Sequence, residues 1–341
     1  MESNFTTAAS EMTTAAMRPL QLFSRGYTTV WLVIRMLEAL LAVVTNTCTV
    51  ITILVSPSLR STSLSTFLLS MGFSDCLYGI TFGAHNIIRL KALSGDNNPN
   101  FGTLTRMLCV VTSIATHCSL ICTTWISIDR AIATSFPFDY KKRVTVTRCR
   151  IFVCATWIYS IISTTALGLV KYFDLSDAEK SKVLSNVADI FPTTAYRYYV
   201  TLQIFVFLFS NVLLYWRIVV SVAIRKKKSG GKKNEKLTKM VIIVLTVMLI
   251  CWLPGNLLYF VKVPNPYLDP DGFKVFSVIY NVIVIMISVP SFANAFVYAG
   301  QHKDYRAAYA TLFGCKSMAS VGVIQASHNT SSKTTNSTKA N

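Results

Sequence analysis

Long apolar runs separated by short polar stretches dominate the chain. A helix needs about 20 apolar residues to span the hydrocarbon core of a bilayer, and seven segments are long enough. None of them alternates between apolar and polar residues with period two, so a membrane β-barrel is disfavoured. The pattern predicts an all-α membrane protein, a seven-transmembrane helix bundle. The predicted spans are residues 29–54, 64–88, 105–134, 151–171, 198–224, 238–262 and 274–299.

Positive charge is concentrated in two of the polar stretches. Only 14% of the residues are charged, with a net charge of +18, whereas a soluble domain carries about a quarter charged residues. The basic residues gather at 141–150 and at 225–239, which reads RKKKSGGKKNEKLTK. Because Lys and Arg mark cytoplasmic loops, we expect an extracellular N-terminus and a multi-pass protein of the plasma membrane. Lysines beside a span set topology and contact anionic lipid, so nucleic acid is not an expected partner.

A shorter amphipathic segment follows the last span. In HKDYRAAYATLFGC, residues 302–315, the residues Tyr305, Tyr309, Leu312 and Phe313 recur at helical spacing with basic neighbours. Such a stripe is typical of a short amphipathic eighth helix on the membrane surface. We therefore expect four regions. They are an extracellular segment 1–28, a seven-helix transmembrane domain 29–301, the surface helix 302–315 and a disordered, Ser/Thr-rich cytoplasmic tail 316–341.

Ionisable groups inside the predicted spans are unfavourable in lipid and therefore mark candidate functional positions. Asp75 lies in the middle of the second span, where no basic residue of its own helix could neutralise it. It is expected to be protonated, or to bind a cation or polar side chains of other helices. Arg35 and Glu38 are three residues apart in the first span, and we expect them to pair on one helix face.

Four motifs follow one another on the predicted helices. They are Asp75, Asp129-Arg130, Cys251-Trp252-Leu253-Pro254 and Asn294-Ala295-Phe296-Val297-Tyr298. Together they resemble a rhodopsin-like (class A) G-protein-coupled receptor, over roughly residues 29–315. The resemblance implies a cell-surface receptor, without a catalytic site, that converts the binding of an unknown extracellular ligand into activation of a heterotrimeric G protein.

The resemblance also implies roles near the cytoplasmic face. Arg130 would pair with Asp129 in a resting state and swing toward the fifth and seventh helices in an active state. Pro137-Phe138 resembles the turn whose hydrophobic residue enters the G-protein α subunit, and Pro254 would kink the sixth helix. The residues implied in activation and coupling are Asp129, Arg130, Pro137, Phe138, Tyr215, Pro254, Asn294 and Tyr298.

Two further groups of residues follow from the resemblance, one for an ion and one for the ligand. The first group matches a polar cluster around an allosteric sodium ion, which prefers oxygen ligands: Asp75, Ser119, Ser291 and Asn294, with Asn46 nearby. The second group contains the candidate ligand-binding residues His85, Asn86, Thr112, Thr116, Gln203, Trp252, Asn256 and Tyr259. Thr112 stands where amine receptors carry an aspartate, which disfavours a biogenic amine; a peptide, a lipid and a small polar molecule stay open.

Several positions depart from the family's pattern. Thr105 occupies the position of a usual cysteine and residues 172–196 contain none, so we expect no disulfide between the third helix and the second outer loop. Phe207 and Ala295 replace prolines. The missing disulfide and fifth-helix proline are shared with melanocortin, cannabinoid and lysophospholipid receptors, a weak hint that leaves the subfamily unassigned.

Candidate modification sites lie near both ends of the chain. Asn4 belongs to the sequon Asn4-Phe5-Thr6 on the expected outer side and is a glycosylation candidate. Cys315, after the surface helix, resembles an acylated membrane anchor. The Ser/Thr-rich tail is a candidate contact for kinases and arrestin.

Two other classes of protein are less consistent with the sequence. An ion-conducting channel or transporter using Asp75 is the alternative, but other central charges that such a path would use are absent from the spans. An enzyme is not expected, because no Ser/His/Asp set, HExxH or GxSxG motif is present. The four histidines are spread too far along the chain for an evident metal site. Apart from the sodium ion, no cofactor is expected.

Overall fold

The computed structural model describes residues 24–96, 98, 100–174, 194–229, 235–258, 260–261, 269–301 and 303–314. No strand occurs in this part of the chain, which confirms the all-α fold. Two four-residue helices, Pro57–Arg60 and Tyr140–Arg143, lie in turns. The longer helices are α1 (Arg25–Val55), α2 (Ser63–Leu93), α3 (Phe101–Ser135), α4 (Val146–Asp174), α5 (Thr194–Ser229), α6 (Glu235–Leu258), α7 (Pro270–Gln301) and α8 (Lys303–Leu312).

The first seven of these helices correspond one to one with the predicted spans. Six are long and apolar enough to cross a membrane, and α6 contributes a shorter apolar stretch, Ile242–Leu258. α6 ends at Leu258, four residues before the predicted end of the sixth span at residue 262. The Phe260 N–H bonds to the carbonyl of Leu257 at 3.1 Å, and the Val261 N–H bonds to that of Leu258. These tighter i→i+3 bonds close the helix with a turn.

Polar side chains fix where α1 and α2 begin. The Ser24 hydroxyl accepts the N–H of Tyr27 at 3.1 Å, and the Thr62 hydroxyl accepts the N–H of Ser65 at 3.2 Å. Each of these caps satisfies a first-turn N–H that has no partner within the helix. With Pro57 opening the short helix between them, α1 and α2 are joined by a tight turn.

The bundle core combines apolar packing with hydrogen bonds between helices. Lipid offers little hydrophobic incentive for helices to associate, so close packing and such bonds hold the bundle together. The Trp157 indole N–H donates to Ser70 at 3.1 Å and links α4 to α2. The Asn211 amide donates to Thr124 and accepts from Ser127, both at 2.8 Å, and links α5 to α3. The buried core includes Leu68, Met71, Cys118, Cys122, Ile126, Leu245, Met248 and Tyr298.

The outward faces of the helices are apolar. Water-soluble monomers rarely expose contiguous apolar patches larger than a few hundred Å², so faces of this kind, on helices of spanning length, belong to a multi-pass membrane protein. Large exposed apolar side chains on α1, α4 and α5 include Leu37, Leu40, Ile158, Ile162, Leu202 and Phe209.

Gly79 allows α1 and α2 to approach closely. A Cβ placed on Gly79 would lie 2.8 Å from the carbonyl oxygen of Ala39 and 2.8 Å from Cγ2 of Val43. Because one of these contacts is with backbone, α1 itself would have to move. Small residues at such crossings are what permit tight packing of membrane helices.

We expect Gly79→Ala to lower the free energy of unfolding by about 1–3 kcal/mol, the range typical of over-packing. The measurement is the melting temperature (Tm) of the purified protein in detergent. Gly300→Ala is the matched control, because a Cβ there meets no atom within 4 Å. Equal Tm values for the two variants would contradict the close approach.

Candidate functional site

A small polar cavity lies beside Trp252 in the bundle. Its volume is about 30 Å³, and Asp75, Ser119, Ser291 and Asn294 all line it. A water molecule needs about 10–15 Å³ by this measure, so the cavity holds one or two particles of that size. Asp75 is only 1% exposed, and its Oδ2 has no hydrogen-bond partner. The structure therefore brings the predicted polar cluster together around an unpartnered carboxyl oxygen.

Asn46 lies next to this cavity and ties α1 to α7. Its Nδ2 donates to the carbonyl of Ala42 at 2.8 Å and to that of Ser291 at 2.5 Å. Asn294 makes a weak N–H···S contact of 3.8 Å with Met71. The oxygen-bearing side chains of α2, α3 and α7 that line the cavity are the type of ligand a small hard cation takes, so the residues fit a sodium ion.

The cytoplasmic end of α3 carries a buried charged pair. Nε of Arg130 donates to Oδ2 of Asp129 at 2.7 Å, and Nη2 contacts the same oxygen. The Tyr140 hydroxyl donates to the other carboxylate oxygen at 2.8 Å and accepts from Arg130 at 3.2 Å. Burial and the charge of Asp129 raise the pKa of Tyr140, so its hydroxyl remains a donor. We call these three residues the Asp129–Arg130–Tyr140 lock.

Tyr140 was missed by the sequence analysis. It stands two residues after Phe138 in a basic loop, where nothing in the local sequence indicates a buried contact. The guanidinium carbon of Arg130 lies 5.9 Å from the centre of the Tyr140 ring, so the ring also covers the arginine. The lock matches the pairing that the family resemblance implies for a resting state.

The other residues assigned to coupling occupy contrasting environments. Phe138, in the turn after α3, is 97% exposed. Tyr298 is buried, packs against the ring of Tyr305 with centroids 6.0 Å apart, and has no partner for its hydroxyl. Tyr215 is half-buried against the core, and Pro254 lies inside α6.

The stripe residues of α8 divide between the bundle and the exposed surface. Tyr305 is buried and its hydroxyl lies 3.0 Å from that of Ser65 on α2. The Tyr309 hydroxyl lies 2.7 Å from that of Thr49 on α1. Both tyrosines turn toward the bundle because their hydroxyl groups find partners there. The exposed apolar residues of the stripe are Leu312 and Phe313.

The expected pairing of Arg35 with Glu38 is also wrong. Arg35 donates instead to the Asn281 side-chain oxygen on α7 at 2.5 Å, and the described residues show no ion pair between Arg35 and Glu38. Both side chains are buried, and Oε2 of Glu38 has no hydrogen-bond partner. The reason is tertiary: α7 presents an amide oxygen to the guanidinium, which the spacing along α1 does not reveal.

A larger cavity lies toward the expected outer face, among α3, α5, α6 and α7. We call it the outer cavity; its volume is about 180 Å³. Four of the predicted ligand-binding residues line it, and His117, which the sequence analysis did not single out, lines it as well. Its wall consists of Thr112, Ser113, Thr116, His117, Leu120, Ile204, Trp252, Gly255, Asn256 and Ile287.

Three other predicted ligand-binding residues, His85, Asn86 and Gln203, do not line this cavity. His85 Nδ1 lies 3.5 Å from the sulfur of Cys109. The Asn86 amide donates to the Phe82 carbonyl, and the Gln203 amide donates to the Tyr159 hydroxyl at 2.8 Å. Tyr259, Asn4 and Cys315 lie outside the described residues. The eight cysteines in the described part, including Cys109, are free thiols.

Comparisons with known proteins agree with this architecture. The family model described as "7 transmembrane receptor (rhodopsin family)" matches residues 45–298. The substance-P receptor of Homo sapiens is 20% identical over 224 residues, covering 61% of this chain and 53% of that protein. The somatostatin receptor type 1 of Rattus norvegicus is 23% identical over 221 residues, covering 61% and 54%. The QRFP-like peptide receptor of Branchiostoma floridae is 21% identical over 315 residues, covering 86% and 80%.

The matches to the substance-P and somatostatin receptors span about half the length of those proteins. The family model, in contrast, covers most of this chain, from α1 to Tyr298. The polar cavity, the Asp129–Arg130–Tyr140 lock and the outer cavity all involve residues inside that range. The chain therefore belongs to the rhodopsin family of seven-transmembrane receptors.

Proposed function

We propose that the chain converts the binding of an extracellular ligand into activation of a heterotrimeric G protein, without catalysis of its own. The observation that carries the proposal is the Asp129–Arg130–Tyr140 lock, whose charged pair is buried, together with the exposed Phe138 in the turn after α3. A buried charged pair at a helix end is unfavourable unless it is fully compensated. A lock that can open thus provides a two-state element for signalling.

The two cavities share a wall through which a ligand can act. Trp252, Thr116, Leu120 and Ile287 line both of them. A ligand that displaces Trp252 in the outer cavity therefore changes the polar cavity at Asp75. Pro254 removes a backbone hydrogen bond just beyond Trp252 and gives α6 a hinge. Outward movement of α6 would then expose the cytoplasmic ends of α3 and α7 to the G protein.

The orientation and partners follow from the same proposal. We propose that the chain spans the plasma membrane with its N-terminus outside, because the basic loops would then face the cytoplasm. Asn4 would carry a glycan, Cys315 a lipid, and the tail would be phosphorylated by kinases and bind arrestin. One relative is named as a peptide receptor, so an extracellular peptide is the first class of ligand to test.

The test is agonist-induced activation of G proteins in cells expressing the chain, with sensors for each G-protein class and a panel of peptides, lipids and small polar molecules. Activation that depends on the chain supports the proposal. A ligand that evokes an ionic current or solute uptake, with no G-protein response, would favour the channel or transporter that uses Asp75. The size of the polar cavity speaks against that alternative, because it holds only one or two waters.

Tyr140→Phe should raise basal G-protein activation several-fold. The variant removes the hydroxyl that donates to Asp129 but keeps the ring beside Arg130. A hydrogen bond to a charged group contributes about 1.5–3 kcal/mol, and losing part of this destabilises the closed lock. Basal activation is measured at matched surface expression, with Tyr159→Phe as the control, since Tyr159 accepts from Gln203 near the outer cavity. Basal activity no higher than that of the control would show that Tyr140 does not hold the lock.

A further inference from the structure

The outer cavity contains a buried histidine with one unsatisfied nitrogen. Nδ1 of His117 lies 3.0 Å from the carbonyl oxygen of Ser113 and 3.5 Å from the hydroxyl of Thr164. A carbonyl only accepts, so Nδ1 carries the proton. In a neutral imidazole, Nε2 is then a bare acceptor, and it is buried without a hydrogen-bond partner.

The surroundings keep this imidazole neutral. Among the described residues that line the outer cavity there is no Asp, Glu, Lys or Arg. A buried charge without a counter-ion is strongly disfavoured, so a second proton on the ring would lack compensation. For the same reason, the described part of the wall offers no ionic partner to a charged ligand.

Asn256, which also lines the outer cavity, has a second unsatisfied acceptor. Its Nδ2 donates to the Trp252 carbonyl at 2.9 Å. That bond fixes the orientation of the amide, because only the NH₂ group can donate to a carbonyl. Oδ1 is consequently the free atom, and it too is buried without a partner.

The wall of the outer cavity thus includes two residues with a buried, unpartnered acceptor, whereas most buried polar atoms in folded proteins are hydrogen-bonded. The rest of the wall is largely apolar, with Leu120, Ile204 and Ile287. Trp252 and Thr116 add an indole N–H and a hydroxyl, so a ligand hydroxyl that donates on one side can accept on the other. A cavity of about 150 Å³ holds a benzene ring, so the 180 Å³ of the outer cavity fits one aromatic ring with a polar substituent.

We propose that the outer cavity binds an uncharged, largely apolar ligand group that donates hydrogen bonds, with Nε2 of His117 and Oδ1 of Asn256 as its acceptors. The proposal rests on the proposed function, since it specifies the chemistry of the ligand. An anionic group would be repelled by the lone pairs of these two acceptors, and a cationic group would find no carboxylate among the described wall residues. A phenol, an indole or a benzylic alcohol satisfies the donor requirement and fits the volume.

The test uses the purified full chain in lipid nanodiscs and four probes of similar size: benzyl alcohol, benzyl methyl ether, benzylammonium and benzoate. A compound that binds the native state raises the Tm, so titrations of Tm against concentration give apparent affinities. Benzyl alcohol is expected to bind several-fold more tightly than the ether, which lacks the donor, and than either ion. Equal affinities for the alcohol and the ether, or a preference for an ion, would overturn the proposal.

Two variants test whether the preference for the alcohol over the ether arises in the outer cavity. His117→Phe and Asn256→Leu each remove one acceptor, and each should reduce the alcohol-to-ether preference several-fold. Ser160→Ala is the control, because Ser160 also has a buried, unpartnered hydroxyl but does not line the outer cavity. A preference that survives in both variants would overturn the assignment. Probe binding requires no G protein, so failure of this proposal is distinguishable from failure of G-protein coupling.

Discussion

Phe138→Ala is expected to weaken coupling to the G protein about 10- to 100-fold. The side chain is 97% exposed, so its removal takes little from the fold of the receptor itself. Burying a phenylalanine in a partner is worth roughly 1.5–3 kcal/mol, and each 1.4 kcal/mol is a factor of ten in affinity. The measurement is agonist-stimulated nucleotide exchange on purified G protein, titrated against receptor in nanodiscs.

The control for this variant is Phe209→Ala, which truncates an exposed phenylalanine on α5 within the lipid-facing surface. It should leave the titration unchanged, and both variants should retain the Tm of the parent protein. A Phe138 variant that couples with normal affinity would show that this side chain is a membrane anchor rather than a docking residue. Phe138 is a sharper probe than Arg130, because Arg130→Ala would leave the buried Asp129 without its cation, and such a loss destabilises by about 3–5 kcal/mol.

Those features that depend on long, one-dimensional patterns were predictable from the sequence. A run of about 20 apolar residues is a strong signal for a spanning helix, which is why seven spans were found, with ends that differ from those of the helices by up to five residues. A lone carboxylate among apolar residues is rare in lipid. Asp75 was therefore identified without a structure, and Ser119, Ser291 and Asn294 do line its cavity.

Contacts that depend on side-chain orientation between helices were not predictable. Arg35 and Glu38 have the spacing of a pair, yet Asn281 on α7 provides the nearer partner. Tyr140 reaches back from a short helical turn to Asp129, eleven residues earlier. His117 is one of several polar residues on α3, and only the structure shows that its Nε2 is left without a partner in a cavity.

Sodium is expected to stabilise the receptor through Asp75, and Asp75→Asn should remove that stabilisation. A deeply buried carboxylate is unfavourable in a membrane helix unless it is compensated. Its Oδ2 lacks a protein partner, while Ser119 and Ser291 add neutral oxygens from two other helices at the same cavity. The cavity of about 30 Å³ admits a particle the size of a water molecule. A small cation therefore supplies the missing charge and fits the space.

The effect is measured as the difference in Tm between sodium and N-methylglucamine at constant ionic strength. At ten times its dissociation constant, a ligand specific for the native state adds about 1.4 kcal/mol, which corresponds to a few degrees for a protein of this size. Any effect of Asp75→Asn on stability that does not involve the ion is the same in both salts, so only the difference in Tm between the salts reports on ion binding. Asp271→Asn is the control, since Asp271 is an exposed carboxylate at the start of α7.

The ion also connects the polar cavity to activation. Because Trp252, Thr116, Leu120 and Ile287 line both cavities, an agonist that moves this shared wall inward contracts the polar cavity. Sodium should then lower agonist affinity, and by linkage the agonist should lower sodium affinity by the same factor, typically about 5- to 150-fold. Both effects should vanish in Asp75→Asn and persist in Asp271→Asn. Identical melting curves for the parent protein in the two salts would instead show that the Asp75 carboxyl holds a proton and no metal ion.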